Sequence, residues 1–253
     1  MKKIAIIMAV LAASFCAVSC LQEQDFKESP IDENYTPMTI NAVAEPIVST
    51  KTEMVYKYDI VWSENDKIYV TDGTAGDTFT LTDGAGQTDG TFAQDNQIPI
   101  AGEVEAFYPS TMVDGESLLW PALQTNSQTV PMYCTKSIPD TPATFRMSTL
   151  GAVLQLVLST EAENIVLKSI EIRDDNLTMS GAFEVVDGKA ILTATDRAGI
   201  TLDLGTGVNL GVAARYFNIA VPAGDYQDLT LVFTATDRTT CTMTGGKANI
   251  AYN

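Results

Sequence analysis

Short apolar–polar alternations, separated by Asp-Gly steps, constrain this chain more than any other feature of its sequence. MTINAVA (Met38 to Ala44), DKIYVT (Asp66 to Thr71), DTFTLT (Asp77 to Thr82) and EVEAFYP (Glu103 to Pro109) put every second side chain on one face, as a half-buried strand requires. Asp72-Gly73, Asp83-Gly84, Asp89-Gly90 and Asp114-Gly115 lie between such runs and read as turns, because glycine supplies the positive φ of a tight hairpin. A second set follows in GAVLQLVL (Gly151 to Leu158), NIVLKSIEIR (Asn164 to Arg173), YFNIAVP and DLTLVFTAT, with Asp187-Gly188 between two of the runs. No segment has the 3.6-residue apolar period of an amphipathic helix. Strands at this spacing predict an all-β chain of sandwich type. The two prolines of SIPDTPAT (Ser137 to Thr144) give the expected domain boundary. The predicted layout is 1–19 leader, 20–37 acidic tether, 38–143 first β-sandwich domain and 144–253 second β-sandwich domain.

The N-terminus reads MKKIAIIMAVLAASFCAVSC. Lys2 and Lys3 precede an apolar run of roughly a dozen residues, the length of a signal-peptide core and too short to span a bilayer. Ala17, Val18, Ser19 and Cys20 then resemble the lipobox of bacterial lipoproteins, in which the cysteine carries a diacylglycerol thioether and the new N-terminus a further acyl chain such as palmitate. Cys20 is therefore the expected lipidation site, and several acyl chains on one residue give stable anchoring. Leu21 to Pro37 is polar and acidic, as a tether is. Glu23 and Asp25 resemble the acidic export signals of surface-exposed lipoproteins.

Charge and composition exclude whole classes of function. The 253 residues carry a net charge of −17, and loss of Lys2 and Lys3 with the leader takes it to −19. Such a surface repels nucleic acid and anionic head groups. Histidine is absent, which removes Ser-His-Asp and Cys-His catalysis and every His-ligated metal site. No GxSxG elbow occurs. Gly205, Gly207 and Gly211 have the wrong spacing for a phosphate loop and read as a hairpin turn between strands. The chain is expected to be no enzyme and to need no cofactor. No metal is expected either. Asp72, Asp77, Asp83 and Asp89, on Gly-rich loops, are the weak calcium candidates, and hairpin turns account for the same Asp-Gly steps without a metal. Cys134 and Cys241 leave two readings open, a disulfide in an oxidising compartment or two free thiols. Trp62 and Trp120 have aliphatic neighbours and read as core side chains rather than as carbohydrate-stacking platforms.

The order of several short motifs carries a resemblance over nearly the whole chain. A first strand is followed by Thr50-Lys51-Thr52, then Trp62 through Asp66-Lys-Ile68-Tyr-Val70, Gly90-Thr91-Phe92, and Phe107-Tyr108-Pro109. Leu119-Trp120-Pro121-Ala122-Leu123-Gln124 comes next. Phe145-Arg-Met147 through Leu154, Val166 to Arg173, Met179 to Phe183, and Val221 to Tyr226 complete the series. In this order the chain resembles the fimbrillin-like lipoproteins, the type V pilin family of anaerobic Gram-negative bacteria. The resemblance implies two transthyretin-like (Greek-key) β-sandwich domains and a lipoprotein precursor that reaches the outer membrane and cell surface. It implies removal of the first strand by proteolysis, here after Lys51 where the family commonly has arginine, and polymerisation into fimbriae by donor-strand exchange. The expected partners are other pilin subunits through β-strand addition, the outer membrane through the lipid, and a host or bacterial surface ligand. KANIAYN (Lys247 to Asn253) offers one strand at most, which points to a tip, accessory or anchor subunit. The alternative reading is a monomeric surface lipoprotein that binds glycan or host protein.

Overall fold

The computed structural model of the chain describes residues 37–48, 57–125, 130–138 and 143–250, with the side chains of 47–48 and 57–58 left aside. Cys20 and Lys51 lie outside them. The described residues are all-β, with no α-helix. None of their helices is long and apolar enough to cross a membrane.

In chain order the first strands are β1 (Thr39–Ala44), β2 (Ile47–Val48), β3 (Lys57–Tyr58), β4 (Lys67–Thr71), β5 (Gly76–Asp83), β6 (Asp89–Gln94) and β7 (Gly102–Tyr108). A 3₁₀ turn at Ser110–Met112 leads into β8 (Val113–Asp114), β9 (Ser117–Trp120), β10 (Leu123–Thr125), β11 (Met132–Ile138) and β12 (Ala143–Thr149). The remainder is β13 (Ala152–Leu158), β14 (Val166–Asp174), β15 (Gly181–Val186), β16 (Lys189–Leu192), β17 (Ile200–Asn209), β18 (Arg215–Val221), β19 (Gly224–Ala235) and β20 (Thr240–Ile250).

Strands β1-β12-β11-β7-β4-β5-β6 pair in that order and close on themselves as a barrel. Their inward positions hold Ile40, Ile68, Val70, Phe79, Phe92, Phe145 and Met147, all without solvent exposure. The alternation of apolar and polar residues along each strand produces this core directly, since a one-residue slip would turn every side chain to the other face. The stretch Ser137 to Thr144 joins β11 to β12, which are neighbours in the barrel, and residues 139–142 of it lie outside the described ones.

A second apolar cluster gathers Trp120, Leu150, Ile170, Ile172, Phe183, Phe217, Ile219 and Tyr226. Around it run a five-stranded sheet β10-β17-β14-β19-β20, a ribbon β13-β18 and a small sheet β16-β15-β9-β8. The Gln124 side-chain amide knits two of these together. It donates to the Ala220 carbonyl at 2.7 Å and accepts the Ala220 N–H at 2.9 Å, so one amide stands in for a strand residue. Asp174 performs a similar service at the end of β14. Its carboxylate accepts the N–H groups of Asn176, Leu177 and Asp228 at 2.8, 3.0 and 2.9 Å. Burial alone would raise the Asp174 carboxyl, but these donors outweigh it and hold its pKa below the ordinary value. Ala248 to Ile250 pair with β19 in the five-stranded sheet.

Two expectations from the sequence need correction. Gly205 and Gly207 are not a hairpin turn. They lie within β17, opposite a register shift between Leu167 and Ser169 of β14. At Gly207 a Cβ would stand 2.7 Å from Val166 Cγ1 and φ is +101°, so the glycine serves a bulge and a close strand approach. Asp89-Gly90 is not a turn either, but the start of β6. The difference is visible in φ. Gly73, Gly84, Gly115 and Gly188 sit in the left-handed region, at +83°, +94°, +61° and +73°, whereas Gly90 is not among the positive-φ glycines. A Cβ at Gly90 would lie 2.7 Å from Leu81 Cδ1 and 2.8 Å from Trp62 Cδ1. Gly90 is thus glycine for space, not for backbone freedom. Gly90→Ala is expected to destabilise the protein by about 1–3 kcal/mol through overpacking, read as a lower urea midpoint. An unchanged midpoint would show that the Trp62 ring has room to move.

Candidate functional site: the slot of strand β1

Strand β1 closes the barrel. It runs antiparallel to β6 on one side and parallel to β12 on the other. Beyond β10–β17, it forms the only parallel pairing among the described strands. Parallel neighbours cannot be joined by a tight turn, and about a hundred residues separate β1 from β12 in the chain, since Ile40 pairs with Ala143. The strand is therefore held by its fit rather than by a hairpin.

That fit is a set of rows across three strands. Ile40 lies between Ala143 and Phe92. Ala42 lies between Phe145 and Gly90, and Ala44 beside Met147. Large side chains on β1 face small ones on β12, and small face large. All these residues are buried, and Met38 extends the buried face by one step beyond Ile40. Burying Met38 and Ile40 contributes about 1.5–3 kcal/mol each, and the rows fix the register, because shifting β1 by two residues would set Ile40 against Phe145.

Polar contacts fasten both ends. The Met38 N–H donates to Gln94 Oε1 at 3.1 Å, and the Gln94 N–H donates to the Met38 carbonyl at 3.1 Å. At the other end the Ala44 N–H donates to the Thr88 carbonyl and the Glu45 N–H to the Met147 carbonyl, each at 2.9 Å. Ser148 Oγ donates to the Glu45 carboxylate at 2.6 Å. On the outer face Thr91 Oγ1 meets Asn41 Oδ1 at 3.2 Å.

Trp62 crosses this site from the segment before β4. Its indole N–H points at two carbonyls, Ala42 at 3.2 Å and Thr88 at 2.9 Å. The ring stands edge-on to Phe92 and Tyr108, with centroids 5.0 and 5.1 Å away. Both tryptophans are core residues, but they differ in their polar atom. Trp120 Nε1 is buried without a partner among the described residues. The flanking aliphatic residues foretold burial for both; nothing in the one-dimensional pattern distinguished the bonded indole from the other.

The other candidate residues do not converge. Asp72 accepts the N–H groups of Thr74 and Ala75 at 2.9 and 2.8 Å. The Ala75 and Thr74 bonds hold its carboxyl below the ordinary range. Asp77 is buried and accepts the Thr78, Asn96 and Ile98 N–H groups and the Asn96 side-chain amide. Asp83 accepts the Gly84 N–H and Asp89 the Thr88 hydroxyl. These oxygens tie loops together, and among the described residues no three or more acidic or cysteine side chains group as a metal cluster would. Cys134 is buried in the barrel and Cys241 exposed on β20, and both are free thiols. Burial pushes the Cys134 thiol up to about 12, which leaves it protonated and unreactive at neutral pH. In the folded protein a maleimide should label Cys241 within minutes and Cys134 only after unfolding. Equal labelling rates would mean that β11 opens readily.

One broad cavity of about 430 Å³ lies where β7 meets β9 and β15, lined among others by Glu105, Glu116, Glu184, Phe107 and Phe183. Tyr133 donates its hydroxyl to Glu105 at its rim, at 2.6 Å.

Three solved structures are similar to this chain to different degrees. A crystal structure of a candidate cell-adhesion protein from Bacteroides ovatus matches with a TM-score of 0.54 and 17% identity, over 86% of this chain and 89% of that one. A candidate cell-adhesion protein from Bacteroides fragilis matches at 0.46 and 11% identity, over 86% and 90%. A candidate adhesin from Bacteroides ovatus matches at 0.39 and 10% identity, over 83% and 82%. The first establishes a likeness of fold over most of both chains. No protein-family model matches the sequence, and no curated protein does.

Proposed function

We propose that this chain is an adhesive subunit of a cell-surface fimbria, made as a lipoprotein on Cys20 and assembled by donor-strand exchange after a cut at Lys51. The observation that carries the proposal is the construction of the β1 slot. The barrel core is complete only with a strand whose one neighbour is parallel and distant in sequence. That strand leads into residues 45–56, where Lys51 lies, so a cut there leaves β1 attached to the rest by noncovalent contacts alone. Loss of the strand would expose the edges of β6 and β12 and the buried row of Phe92, Phe145 and Met147. Exposed edges of this kind recruit another strand, and the recognition mode is β-augmentation, with main-chain bonds for affinity and alternating side chains for register.

The surface chemistry agrees with this role. The strongly acidic chain has no histidine and holds Asp72, Asp77, Asp83 and Asp174 in loop-fastening bonds, so a structural and adhesive task suits it better than catalysis. The structure of similar fold from Bacteroides ovatus is of a candidate cell-adhesion protein, which supports the adhesive part of the reading.

Intact mass and N-terminal sequencing of the protein released from washed cells test the proposal. A start at Thr52 without lipid, together with a ladder of oligomers on unheated gels, is the expected result. A monomer that still begins at an acylated Cys20 would overturn it and leave a stand-alone surface binding protein.

A further inference from the structure

The indole of Trp62 is bonded to two elements of the barrel at once. Its single N–H faces the Ala42 carbonyl of β1 and the Thr88 carbonyl of the loop before β6. The Thr88 carbonyl also accepts the Ala44 N–H. The indole therefore bridges β1 to the barrel wall just before the start of β6, extending the ladder with a side chain. Trp62 itself is pinned independently of β1. Its backbone N–H donates to the Gln87 carbonyl at 2.9 Å and its carbonyl accepts the Gly86 N–H at 2.7 Å, and its ring abuts Phe92 and Tyr108. With β1 gone, the indole N–H keeps the Thr88 carbonyl and stays satisfied, so it has no reason to turn away. A buried donor already in place costs an incoming strand no reorganisation.

We infer that Trp62 is the latch of the β1 slot: it holds whichever strand fills the slot by that strand's main-chain carbonyl, and it restricts the slot to strands with a small residue at the carbonyl's position. The size restriction comes from the same row. Ala42 is flanked by Phe145 and by Gly90, and the space that Gly90 leaves is taken by the Trp62 ring, 2.8 Å from where a Cβ would stand. The neighbouring row is permissive by comparison, with Ile40 beside Ala143. The slot thus takes an extended segment with large apolar residues at the two inward positions matching Met38 and Ile40, and alanine or glycine at the two matching Ala42 and Ala44. The residues between, matching Thr39, Asn41 and Val43, lie on the outer face and are less restricted. The latch rests on the donor-strand reading only for the identity of the incoming strand; its action on resident β1 stands without that reading.

Hydrogen exchange by mass spectrometry on the full chain tests the latch. Trp62→Phe keeps the ring between Phe92 and Tyr108 and deletes the N–H. Amides of Met38 to Ala44 should exchange roughly five- to tenfold faster, the scale of one hydrogen bond, while β4, β7 and β11 keep their rates. Trp120→Phe, which removes an indole N–H that has no partner among the described residues, should leave β1 unaffected. An unchanged rate in β1, or an equal rise in every barrel strand, would overturn the latch and leave Trp62 as packing alone. The size restriction is read on the protein cut between β2 and β3, offered a fluorescent peptide of the Met38 to Ala44 sequence. The native peptide and its Val43→Leu form should exchange in, and the Ala42→Leu form should bind at least tenfold more weakly. Equal binding of the Ala42→Leu peptide would overturn the restriction. If β1 exchange responds to Trp62→Phe but no peptide enters, the latch holds and the donor-strand reading falls.

Discussion

A strand in a closed barrel must be bonded on both sides, and β1 is bonded to two partners that are both far from it in sequence. It brings its own apolar face to a core that β4 to β7, β11 and β12 have otherwise built, and it covers the edges of β6 and β12 at once. Because its partner on one side is parallel, no hairpin ties it there. The tension between full hydrogen bonding and weak covalent attachment governs the rest of the account. A strand so placed stabilises the monomer, and the same contacts await any other strand of matching pattern.

Side-chain volume decides which strand that is. In the rows Ala143–Ile40–Phe92 and Phe145–Ala42–Gly90 a small residue of β12 meets large ones on β1 and β6, and a large residue of β12 meets small ones, so the core packs tightly only in one register. Gly90 is the least conspicuous member and the most constrained. It is followed by Thr91 and Phe92, and the absence of its Cβ admits the Trp62 ring. The indole then adds a main-chain contact that is indifferent to sequence. Shape thus selects the segment, and the indole holds it.

Much of this was legible in one dimension because strand alternation has a strict period of two. Met38 to Ala44, Asp66 to Thr71, Asp77 to Thr82 and Glu103 to Pro109 differ from β1, β4, β5 and β7 by a residue or so at each end. The Asp-Gly steps at 72, 83, 114 and 187 place glycine at positive φ as hairpin chemistry demands. The failures share a cause. Asp89-Gly90 and the Gly205–Gly207 pair look like turns locally, yet Gly90 answers to the distant Trp62 and Gly207 to the distant Val166. The closure of β1 on β12 is likewise invisible, since pairing between Ile40 and Ala143 leaves no local pattern. For the same reason the burial of Trp62 could be foreseen from its aliphatic neighbours, but its bond to Ala42 could not.

Strand exchange between subunits is the central claim, and a mixed disulfide reads it most directly. Asn41 of β1 and Thr91 of β6 are register partners. In a background of Cys241→Ser, one batch of protein would carry Asn41→Cys and the other Thr91→Cys, each cut at Lys51, then mixed and oxidised. Exchange of strands predicts a covalent product joining the Asn41→Cys strand of one batch to the Thr91→Cys body of the other. If the two batches never cross-link while a single chain bearing both cysteines does, β1 stays in its own barrel and the donor-strand account is contradicted.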